Sequence, residues 1–380
     1  MTEAPAPTIS APMREALALA ERAIGVSEPN PRVGCVVVRD RTVVGRGHTQ
    51  HAGGAHAEVM ALADAAARGA DVRGATVHVT LEPCAHHGRT PPCADALVAT
   101  GVGRVVIALR DPNPLVSGKG AARLAAAGIA VEWNDAAAAA SRELNVGFMS
   151  RMERGRPWLR MKVAVSLDGR SALADGTSQW ITGTAARADG HAWRKRAAAV
   201  LTGVGTVRDD DPRLDVRLVD TARQPLRVIV DSRLETPPAA RVVAPPGDVL
   251  VYAAIDDRAR RSALEARGVE VALLPSPNGK VDLVAMVADL GRRDINELHV
   301  EAGEKLNASL LAAGLVDELL VYVAPKLLGS GRGLAALAPL TRLDDALSFA
   351  FVDVARVGDD LRLLLRPSAP AGGAPSPARR

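Results

Sequence analysis

The chain has 380 residues, which is enough for two domains of ordinary size, but only four Trp, two Tyr and three Phe. Its net charge of +4 is spread along the chain without a long basic block. The small number of aromatic residues and the lack of a basic block both argue against a nucleic-acid-binding protein. Three cysteines are too few for a disulfide framework, so we expect a reducing compartment.

The two ends of the chain differ in composition from the part between them. Residues 1–12 and 367–380 are rich in Pro, Ala and Gly, and we expect both segments to be disordered. The first segment lacks the apolar core of a signal peptide, and no apolar run in the chain is long enough to cross a bilayer. We therefore expect a cytoplasmic protein without a membrane segment.

Strand-like and helix-like segments alternate through the first half of the chain. The segments with strand character are VGCVVV, RTVVGRG, ATVHVTLEP, RVVIAL and IAVEW. The segments with helical spacing are REALALAERAI, AEVMALADAAARG, CADALVATG and GAARLAAAG, followed by one long helix over DAAAAASRELNVGFMSRM. This alternation is typical of a sheet with helices packed on its faces.

The stretch ERGRPW interrupts the pattern, and a second alternating set begins after it. Its strand-like segments are WLRMKVAVSLDG, AVLTGVGTV, PLRVIVDS, DVLVYAA, VEVALL, ELHVEAG, ELLVYVAP, FAFVDVARVG and DLRLLLRP. We therefore predict an α/β protein with one domain at residues 13–150 and a second at residues 151–366.

Two short stretches of the first half, HAEV at 56–59 and TLEPCAHHGRTPPC at 80–93, contain candidate metal ligands. His56, Cys84 and Cys93 are residue types that bind zinc, and a catalytic zinc site takes three protein ligands and leaves one position for water. Cys93 opens the helix CADALVATG, where the helix N-terminus favours the thiolate that binds metal. The pattern predicts a zinc site.

Glu58 is a candidate acid–base group for this site. Residues two positions apart do not share a helix face, so His56 and Glu58 can meet at one metal only in the first turn of a helix. Gly53 and Gly54 stand just before them and permit that entry.

Other interpretations of these residues stay open. The cysteines could be buried core residues, because free cysteine is often buried. A structural zinc site would need a fourth protein ligand, which His86 or His87 could supply, although Glu58 favours the catalytic alternative. Cys35 lies in the apolar strand VGCVVV, and we expect it to be a core residue.

Eight residues separate the two cysteines, whereas cytidine and transfer-RNA adenosine deaminases usually have two. The motifs PNPRVGCVVV, HAEV, VTLEPCAHHGRTPPC, RDPNP, VSLDGR, SQWIT, DDPRL and VEAG together resemble the bifunctional riboflavin-biosynthesis enzymes. These join diaminohydroxyphosphoribosylaminopyrimidine deaminase to 5-amino-6-(5-phosphoribosylamino)uracil reductase. The resemblance covers roughly residues 13–366 and implies an N-terminal cytidine-deaminase-like α/β/α domain and a C-terminal dihydrofolate-reductase-like α/β domain.

The resemblance implies one zinc ion per chain, held by His56, Cys84 and Cys93. Glu58 would take a proton from the attacking water and deliver it to the leaving amine. Three positions match segments that contact the substrate in this family: Asn30, His86 and Arg89.

One position departs from the family pattern. A histidine usually stands seven residues before the metal-binding histidine, and here that position is Thr49. His48 and His51 flank it and could replace it. If neither does, we expect the deaminase half to be weaker or to hold its substrate differently, so a reductase with a failed deaminase stays an open alternative.

The second half lacks a complete dinucleotide-binding fingerprint. LTGVGTV offers only Gly203 and Gly205 and has no third glycine. In VEAGEKLNASLL, Gly303 either opens a helix whose free N–H groups bind a phosphate or is an ordinary turn. The residues alone indicate an α/β domain with its ligands at the carboxyl ends of strands.

The resemblance implies that this half uses NADPH and transfers hydride to the sugar C1′ carbon, which reduces the ribosyl chain to ribityl. By motif match, the residues that contact the cofactor are Ala164, Trp180, Thr206, Asp210, Ser232 and Gly303. Those that contact the substrate are Ser178, Arg194, Leu214, Arg217 and Glu301. Two arginines suit a ribose phosphate, because guanidinium binds phosphate oxygens as a fork. Lys162 and Asp168 are further polar candidates.

The leading hypothesis is a two-step metabolic enzyme that binds small phosphorylated pyrimidines. A nucleic-acid-editing protein would show clustered Lys and Arg with interleaved aromatics, and the sequence has neither. A non-catalytic zinc-stabilised protein would tolerate replacement of Glu58 without loss of turnover. Because family members are oligomeric, we also expect a homo-oligomer, specifically a dimer formed through the second domain.

Overall fold

The computed structural model of the chain describes residues 8–86, 91–114 and 116–368. It divides into two units. The first extends to Arg156 and includes Asp294–Asn296, and the second comprises Pro157–Arg293 and continues from Glu297. The division after Arg156 lies a few residues beyond the boundary predicted near residue 150.

The first unit is built on one five-stranded sheet. Its strands are β1 (Gly34–Arg39), β2 (Thr42–His48), β3 (Thr76–Val79), β4 (Arg104–Ile107) and β5 (Ala130–Trp133). Its helices are α1 (Ala11–Glu21), α2 (Ala57–Ala67), α3 (Cys93–Thr100), α4 (Lys119–Ala126), α5 (Asp135–Leu144) and α6 (Val146–Arg154). The order is β2-β1-β3-β4-β5, in which β1 is antiparallel to β2 and β3, and β3, β4 and β5 are parallel.

Alternate residues of the strands face two apolar cores. Cys35 and Val37 lie in the core that also contains residues of α2, α3, α4 and α6, while Val36 faces a smaller core with α1 and α5. The prediction that Cys35 is a core residue is confirmed.

Most of the segments predicted to be disordered, 1–12 and 367–380, lies outside the described residues. The prediction was wrong for the last residues of the first segment, because α1 begins at Ala11. The Ser10 hydroxyl accepts a hydrogen bond from the Met13 N–H, and a proline is favourable in the first helical turn. At the other end, the last strand extends to Pro367.

The long helix predicted after β5 is two helices, α5 and α6, divided at Asn145. The Asn145 side chain accepts a hydrogen bond from the Arg32 N–H at 2.7 Å and donates to the Arg32 carbonyl oxygen at 3.0 Å. The backbone of Asn145 leaves the helical region, with φ −114° and ψ 18°. A contact with a distant segment therefore ends a helix that local propensity would continue.

The second unit contains a nine-stranded sheet and a small two-stranded sheet. The strands are β6 (Trp158–Ser166), β7 (Arg170–Leu173), β8 (Ala199–Gly203), β9 (Leu226–Val230), β10 (Val249–Ala253), β11 (Glu270–Leu273), β12 (Glu297–Val300), β13 (Glu318–Ala324), β14 (Gly331–Gly333), β15 (Phe349–Val357) and β16 (Asp360–Pro367). The helices are α7 (Thr184–Arg196), α8 (Val204–Asp210), α9 (Arg258–Glu265), α10 (Leu283–Arg292) and α11 (Glu304–Ala312), with a 3₁₀ turn at Leu343–Asp345.

The large sheet has the order β11-β10-β9-β8-β12-β6-β13-β16-β15, and β7 pairs with β14. The seven strands from β11 to β13 are parallel, and β16 and β15 run antiparallel. The carboxyl ends of the parallel strands meet at one edge, where ligands bind in such sheets. None of the helices in the described ranges has the length and apolar character that crossing a bilayer requires.

The strand-like segment AVLTGVGTV is only partly a strand. β8 ends at Gly203, and α8 begins at Val204. Thr206 and Asp210 therefore lie on a helix that starts at the carboxyl end of β8, close to where ligands are expected.

Candidate active sites

The start of α2 positions the first candidate ligand. His56 is the N-cap residue of α2, with extended backbone (φ −77°, ψ 167°), and Glu58 lies in the first turn. The helix packs closely on β2 because Gly47 has no side chain, and a Cβ there would lie 2.2 Å from the Ala57 carbonyl oxygen. His56 and Glu58 thus lie together at the start of a helix, which is the position predicted for two residues that meet at one metal ion.

The two cysteines come together at the N-terminus of α3. Cys84 follows β3 in the chain, and Cys93 is the first residue of α3. The Cys93 N–H donates to the Cys84 sulfur at 3.3 Å, and the Ala94 N–H donates to the Cys84 carbonyl oxygen at 3.1 Å. Backbone N–H groups at a helix start hold Cys84 in place and favour negative charge on its sulfur.

These three residues have the geometry of a zinc site. The His56 Nδ1 atom lies 3.6 Å from the Cys84 sulfur and 3.2 Å from the Cys93 sulfur, and the three ligand atoms lie within 4.8 Å of one another. Zinc bonds of about 2.3 Å to sulfur and about 2.0 Å to nitrogen, at a tetrahedral angle, place such atoms about 3.5 Å apart. The residues therefore fit zinc.

The two thiols differ in charge. Hydrogen bonds with Cys93 and His56 lower the pKa of Cys84 well below its usual value, which favours the thiolate. The hydrogen bond with Cys84 and burial raise the pKa of Cys93. A cation between two such sulfurs allows both to ionise, which is the state that binds zinc.

Glu58 is buried beside the cluster. Burial, together with the negative charge on Cys84, raises the pKa of Glu58 to about 7. A carboxyl group with a pKa near neutrality can both accept and release a proton, which general acid–base catalysis requires.

Thr49 is part of the backbone framework. It is buried, and its hydroxyl oxygen accepts a hydrogen bond from the Val33 N–H at 3.2 Å. His51 is exposed, with a ring nitrogen 3.2 Å from the Ala52 carbonyl oxygen. Neither His48 nor His51 joins the ligand cluster in the described part of the chain.

The structure describes two of the three predicted substrate contacts of the first unit. Asn30 lies in a turn after α1, where its N–H donates to the Ser27 carbonyl oxygen at 2.8 Å. The Nδ1 atom of His86 is buried and has no hydrogen-bond partner among the described residues, and His86 is not in the ligand cluster. Arg89 and His87 lie outside the described residues.

A second candidate site surrounds Glu301, which follows β12. Arg194 on α7 binds both carboxylate oxygens of Glu301, at 2.5 and 2.9 Å, and the Lys162 ammonium lies 3.8 Å away. Burial alone would raise the pKa of Glu301, but the charges of Arg194 and Lys162 lower it well below its ordinary value. Glu301 is therefore ionised and held in one orientation.

Asp215, which is not among the residues predicted from the sequence, connects the two predicted arginines. Its carbonyl oxygen accepts from Arg194 at 2.9 Å, and its carboxylate accepts from Arg217 at 2.6 Å. Arg213 binds the other carboxylate oxygen at 2.7 Å. The segment RLDVR indicates this arrangement in the sequence, because it places one acidic residue between two arginines.

Four of the other predicted residues of this unit come together in two pairs. The Ser178 hydroxyl donates to the Asp210 carboxylate at 3.0 Å. Gly303 is the N-cap residue of α11, and a Cβ on it would lie 3.6 Å from the Thr206 hydroxyl oxygen. The starts of α8 and α11 are therefore neighbours at the carboxyl edge of the sheet.

The remaining predicted residues are placed separately. Trp180 is exposed, and the Arg187 guanidinium lies over its ring at 4.6 Å. Ala164 is half-buried on β6. The Ser232 hydroxyl follows β9 and accepts a backbone hydrogen bond at 3.1 Å. Leu214 is buried with a left-handed backbone, at φ 55°.

Asp168 has a structural role. Its carboxylate accepts hydrogen bonds from the Ser166 hydroxyl and from the N–H groups of Leu328 and Gly329. These hydrogen bonds lower the pKa of Asp168 to about 2. The residue ties the turn after β6 to the loop after β13.

Comparisons with known proteins cover both units. The RibD C-terminal domain family matches residues 157–363, and the cytidine and deoxycytidylate deaminase zinc-binding region matches residues 7–109. The chain is 46% identical over 366 residues to the riboflavin biosynthesis protein RibD of Escherichia coli (strain K12), which covers 93% of this chain and 98% of that protein. It is 40% identical over 354 residues to RibD of Aquifex aeolicus (strain VF5), with coverage of 93% and 97%.

Two solved structures are similar over nearly the full length. Acinetobacter baumannii RibD, form 1, has a TM-score of 0.85 at 41% identity and covers 94% of this chain and 98% of its own. The diaminohydroxyphosphoribosylaminopyrimidine deaminase/5-amino-6-(5-phosphoribosylamino)uracil reductase of Thermotoga maritima has a TM-score of 0.83 at 34% identity, with the same coverage. The predicted fold class, cytidine-deaminase-like and then dihydrofolate-reductase-like, is confirmed. The chain belongs to the RibD family, whose zinc-dependent deaminase and NADPH-dependent reductase act in riboflavin biosynthesis.

Proposed function

We propose that residues 13–150 and 151–366 carry out two successive steps of this pathway. The first is the hydrolytic deamination of 2,5-diamino-6-(5-phosphoribosylamino)pyrimidin-4(3H)-one to 5-amino-6-(5-phosphoribosylamino)uracil. The second reduces the ribosyl chain of that product to ribityl with NADPH. The observation that carries the proposal is the cluster of His56, Cys84 and Cys93 beside the buried Glu58.

In the first step, His56, Cys84 and Cys93 hold the zinc ion. When bound, zinc supplies a Lewis acid that makes water a nucleophile near neutral pH. Glu58 takes a proton from the attacking water and delivers it to the amino group, which leaves as ammonia. The raised pKa of Glu58 supports this role, because the same carboxyl must accept and then release the proton.

Asn30, His86 and Arg89 contact the pyrimidine substrate in this proposal. The support comes from His86, whose buried Nδ1 atom has no partner within the described ranges. A buried polar atom without a hydrogen bond costs free energy, and a substrate atom that pairs with it removes that cost.

In the second step, five residues bind the substrate: Ser178, Arg194, Leu214, Arg217 and Glu301. The two arginines differ in access, since the side chain of Arg217 is 41% exposed and that of Arg194 is 13% exposed. We therefore assign the phosphate contact to Arg217 and the orientation of Glu301 to Arg194.

Six residues form the NADPH site: Ala164, Trp180, Thr206, Asp210, Ser232 and Gly303. The start of α11 after Gly303 offers backbone N–H groups that suit a phosphate, and the exposed Trp180 ring suits stacking. When bound, NADPH supplies the hydride for the sugar C1′ carbon.

Mass spectrometry of the products tests this proposal. With zinc-loaded protein, the diamino substrate and NADPH, we expect a product that is both deaminated and reduced. Cys93→Ser should lower the zinc content and abolish deamination, while reduction of separately supplied deaminated compound continues. Deamination by Cys93→Ser at the wild-type rate would exclude the metal assignment, and turnover of neither compound by the wild type would exclude the whole proposal.

We further propose that the protein acts in the cytoplasm as a homodimer formed through the second unit. β15 is an edge strand of the nine-stranded sheet, and most of its residues are exposed. Phe351, Val352 and Val354 are 65%, 47% and 55% exposed. An apolar edge strand is a template for pairing with another chain, and a second copy would cover it.

Phe351→Asp is therefore expected to weaken the dimer by about 30-fold or more, as loss of a central interface residue usually does. Size-exclusion chromatography with light scattering measures the change. Leu273→Asp on β11, at the opposite edge of the same sheet, is the matched control and should leave the dimer intact. A wild-type monomer, or a dimer unaffected by Phe351→Asp, would contradict the proposal.

A further inference from the structure

We propose that Glu82 is a positioning residue for the zinc ligand Cys84. Glu82 lies in the loop after β3, two residues before Cys84, and only 3% of its surface is exposed. It is neither one of the clustered ligands nor the acid–base group. The inference rests on the proposed role of Cys84 in binding zinc.

The Glu82 carboxylate caps α4, a helix that follows more than thirty residues later. One oxygen accepts from the Gly118 N–H at 3.0 Å and from the Asp111 N–H at 3.4 Å, and the other accepts from the Ala121 N–H at 3.1 Å. Gly118 is the N-cap residue of α4 and has no side chain that could cap it. A carboxylate from another segment therefore accepts hydrogen bonds from the free N–H groups at the start of the helix. The three backbone donors fix the orientation of this carboxylate.

A second contact joins α4 to the same segment. A Cβ on Gly120 would lie 1.9 Å from the Pro83 carbonyl oxygen, so the first turn of α4 packs directly against the residue between Glu82 and Cys84. The Glu82 N–H also donates to the Leu109 carbonyl oxygen at 2.9 Å. The backbone that leads into Cys84 is thus held by Leu109, which follows β4, and by the first turn of α4.

Cys84 is held from its other side by α3. The N–H groups of Cys93 and Ala94 donate to the Cys84 sulfur and carbonyl oxygen. Arg123 on α4 forms an ion pair with Asp95 on α3. Glu82 therefore joins the first turn of α4 to the segment that leads into Cys84, and its removal weakens one of the contacts that set the position of the sulfur.

Partners that orient metal ligands typically contribute about 10- to 100-fold to metal affinity. We expect Glu82→Ala to weaken zinc binding by that factor in the full-length protein and to lower deamination, with reduction unchanged. Zinc affinity is measured by competition with a chromogenic chelator. The absorption spectrum of the Co²⁺-substituted protein reports the coordination geometry, which we expect to change in Glu82→Ala.

Two further variants separate positioning from general destabilisation. Glu82→Gln keeps the length of the side chain and one acceptor oxygen, so we expect a smaller loss of zinc affinity than in Glu82→Ala. Asn134→Ala removes a different cap of the same unit, because Asn134 accepts from the Ala137 N–H at 3.2 Å at the start of α5. It should bind zinc like the wild type.

Wild-type zinc affinity and Co²⁺ spectrum in Glu82→Ala would overturn the inference, even if the variant melts earlier. An equal loss of zinc in Asn134→Ala would also overturn it, since the effect would then be general. If Glu82→Ala does not fold, Glu82→Gln is compared with Asn134→Ala, and only a selective loss in Glu82→Gln supports positioning. Unchanged zinc binding in Cys84→Ser would instead refute the metal assignment of Cys84.

Discussion

Replacing Glu58 with Gln is expected to lower the deaminase kcat by about 10²–10⁴-fold, the usual contribution of a general acid–base group. The amide has nearly the same size, so the buried position stays filled, but it cannot take a proton from water or pass one to the amine. The zinc ligands are unchanged, and zinc content should stay at one ion per chain. Mass spectrometry should show unchanged diamino substrate, whereas supplied deaminated compound is still reduced.

Asp64→Asn is the matched control for this change, because Asp64 lies on the same helix but is partly exposed and pairs with Arg68. It should deaminate at close to the wild-type rate. Full deaminase activity in Glu58→Gln would refute the acid–base role of Glu58, and absence of deamination in the wild type as well would favour the non-catalytic, zinc-stabilised protein. Loss of zinc in Glu58→Gln would show that the carboxylate supports the metal rather than the proton transfers.

Arg194→Met is expected to destabilise the second unit by about 1–3 kcal/mol, the usual result when a largely desolvated polar group loses its hydrogen-bond partner. Glu301, whose side chain is 15% exposed, would lose the guanidinium that binds both its oxygens. Since misplacement of a positioning group by about 1 Å can cost 10²-fold in rate, we expect reductase kcat/KM to fall by about that factor or more. Chemical denaturation and NADPH oxidation measure the two effects, and deamination should persist.

Arg292→Met provides the comparison, because the side chain of Arg292 is 66% exposed and its partner Asp289 keeps its hydrogen bonds from Tyr252 and Arg293. Exposed pairs contribute about 0–1 kcal/mol, so this variant should differ little from the wild type in stability and turnover. If Arg194→Met were as stable and as active as Arg292→Met, the role of Arg194 in orienting Glu301 would be wrong.

The position of Thr49 bears on the alternative of a failed deaminase. Thr49 binds the backbone at Val33, while the cluster of His56, Cys84 and Cys93 forms without a contribution from it. The departure from the family pattern therefore leaves the metal ligands and Glu58 in place. Measured deamination by the wild type decides whether substrate binding tolerates the change.

The zinc cluster could be predicted from the sequence because its parts are local features of the chain. His56 ends a glycine-containing loop at a helix start, and Cys93 opens a helix, so short segments determine both backbone positions. The alternation of strands and helices likewise follows from hydrophobic pattern, which reflects the burial of each element's own faces.

The features that were missed depend on contacts between segments far apart in the chain. Asn145 divides a predicted helix because its side chain binds the backbone of Arg32. Asp215 becomes part of the second site because folding places it between Arg194 and Arg217. Glu82 lies within the motif TLEPCAHHGRTPPC, but its partners at the start of α4 are not visible from that motif.

The sequence by itself determined the α/β class, the ligand types and the family, since these depend on residue identity and on order along the chain. Only the tertiary structure decided the distances between His56, Cys84 and Cys93, the burial that raises the pKa of Glu58, and the pairing of Arg194 with Glu301. These properties depend on which segments pack together and how completely they exclude water, and burial and charge then determine the chemistry of each group.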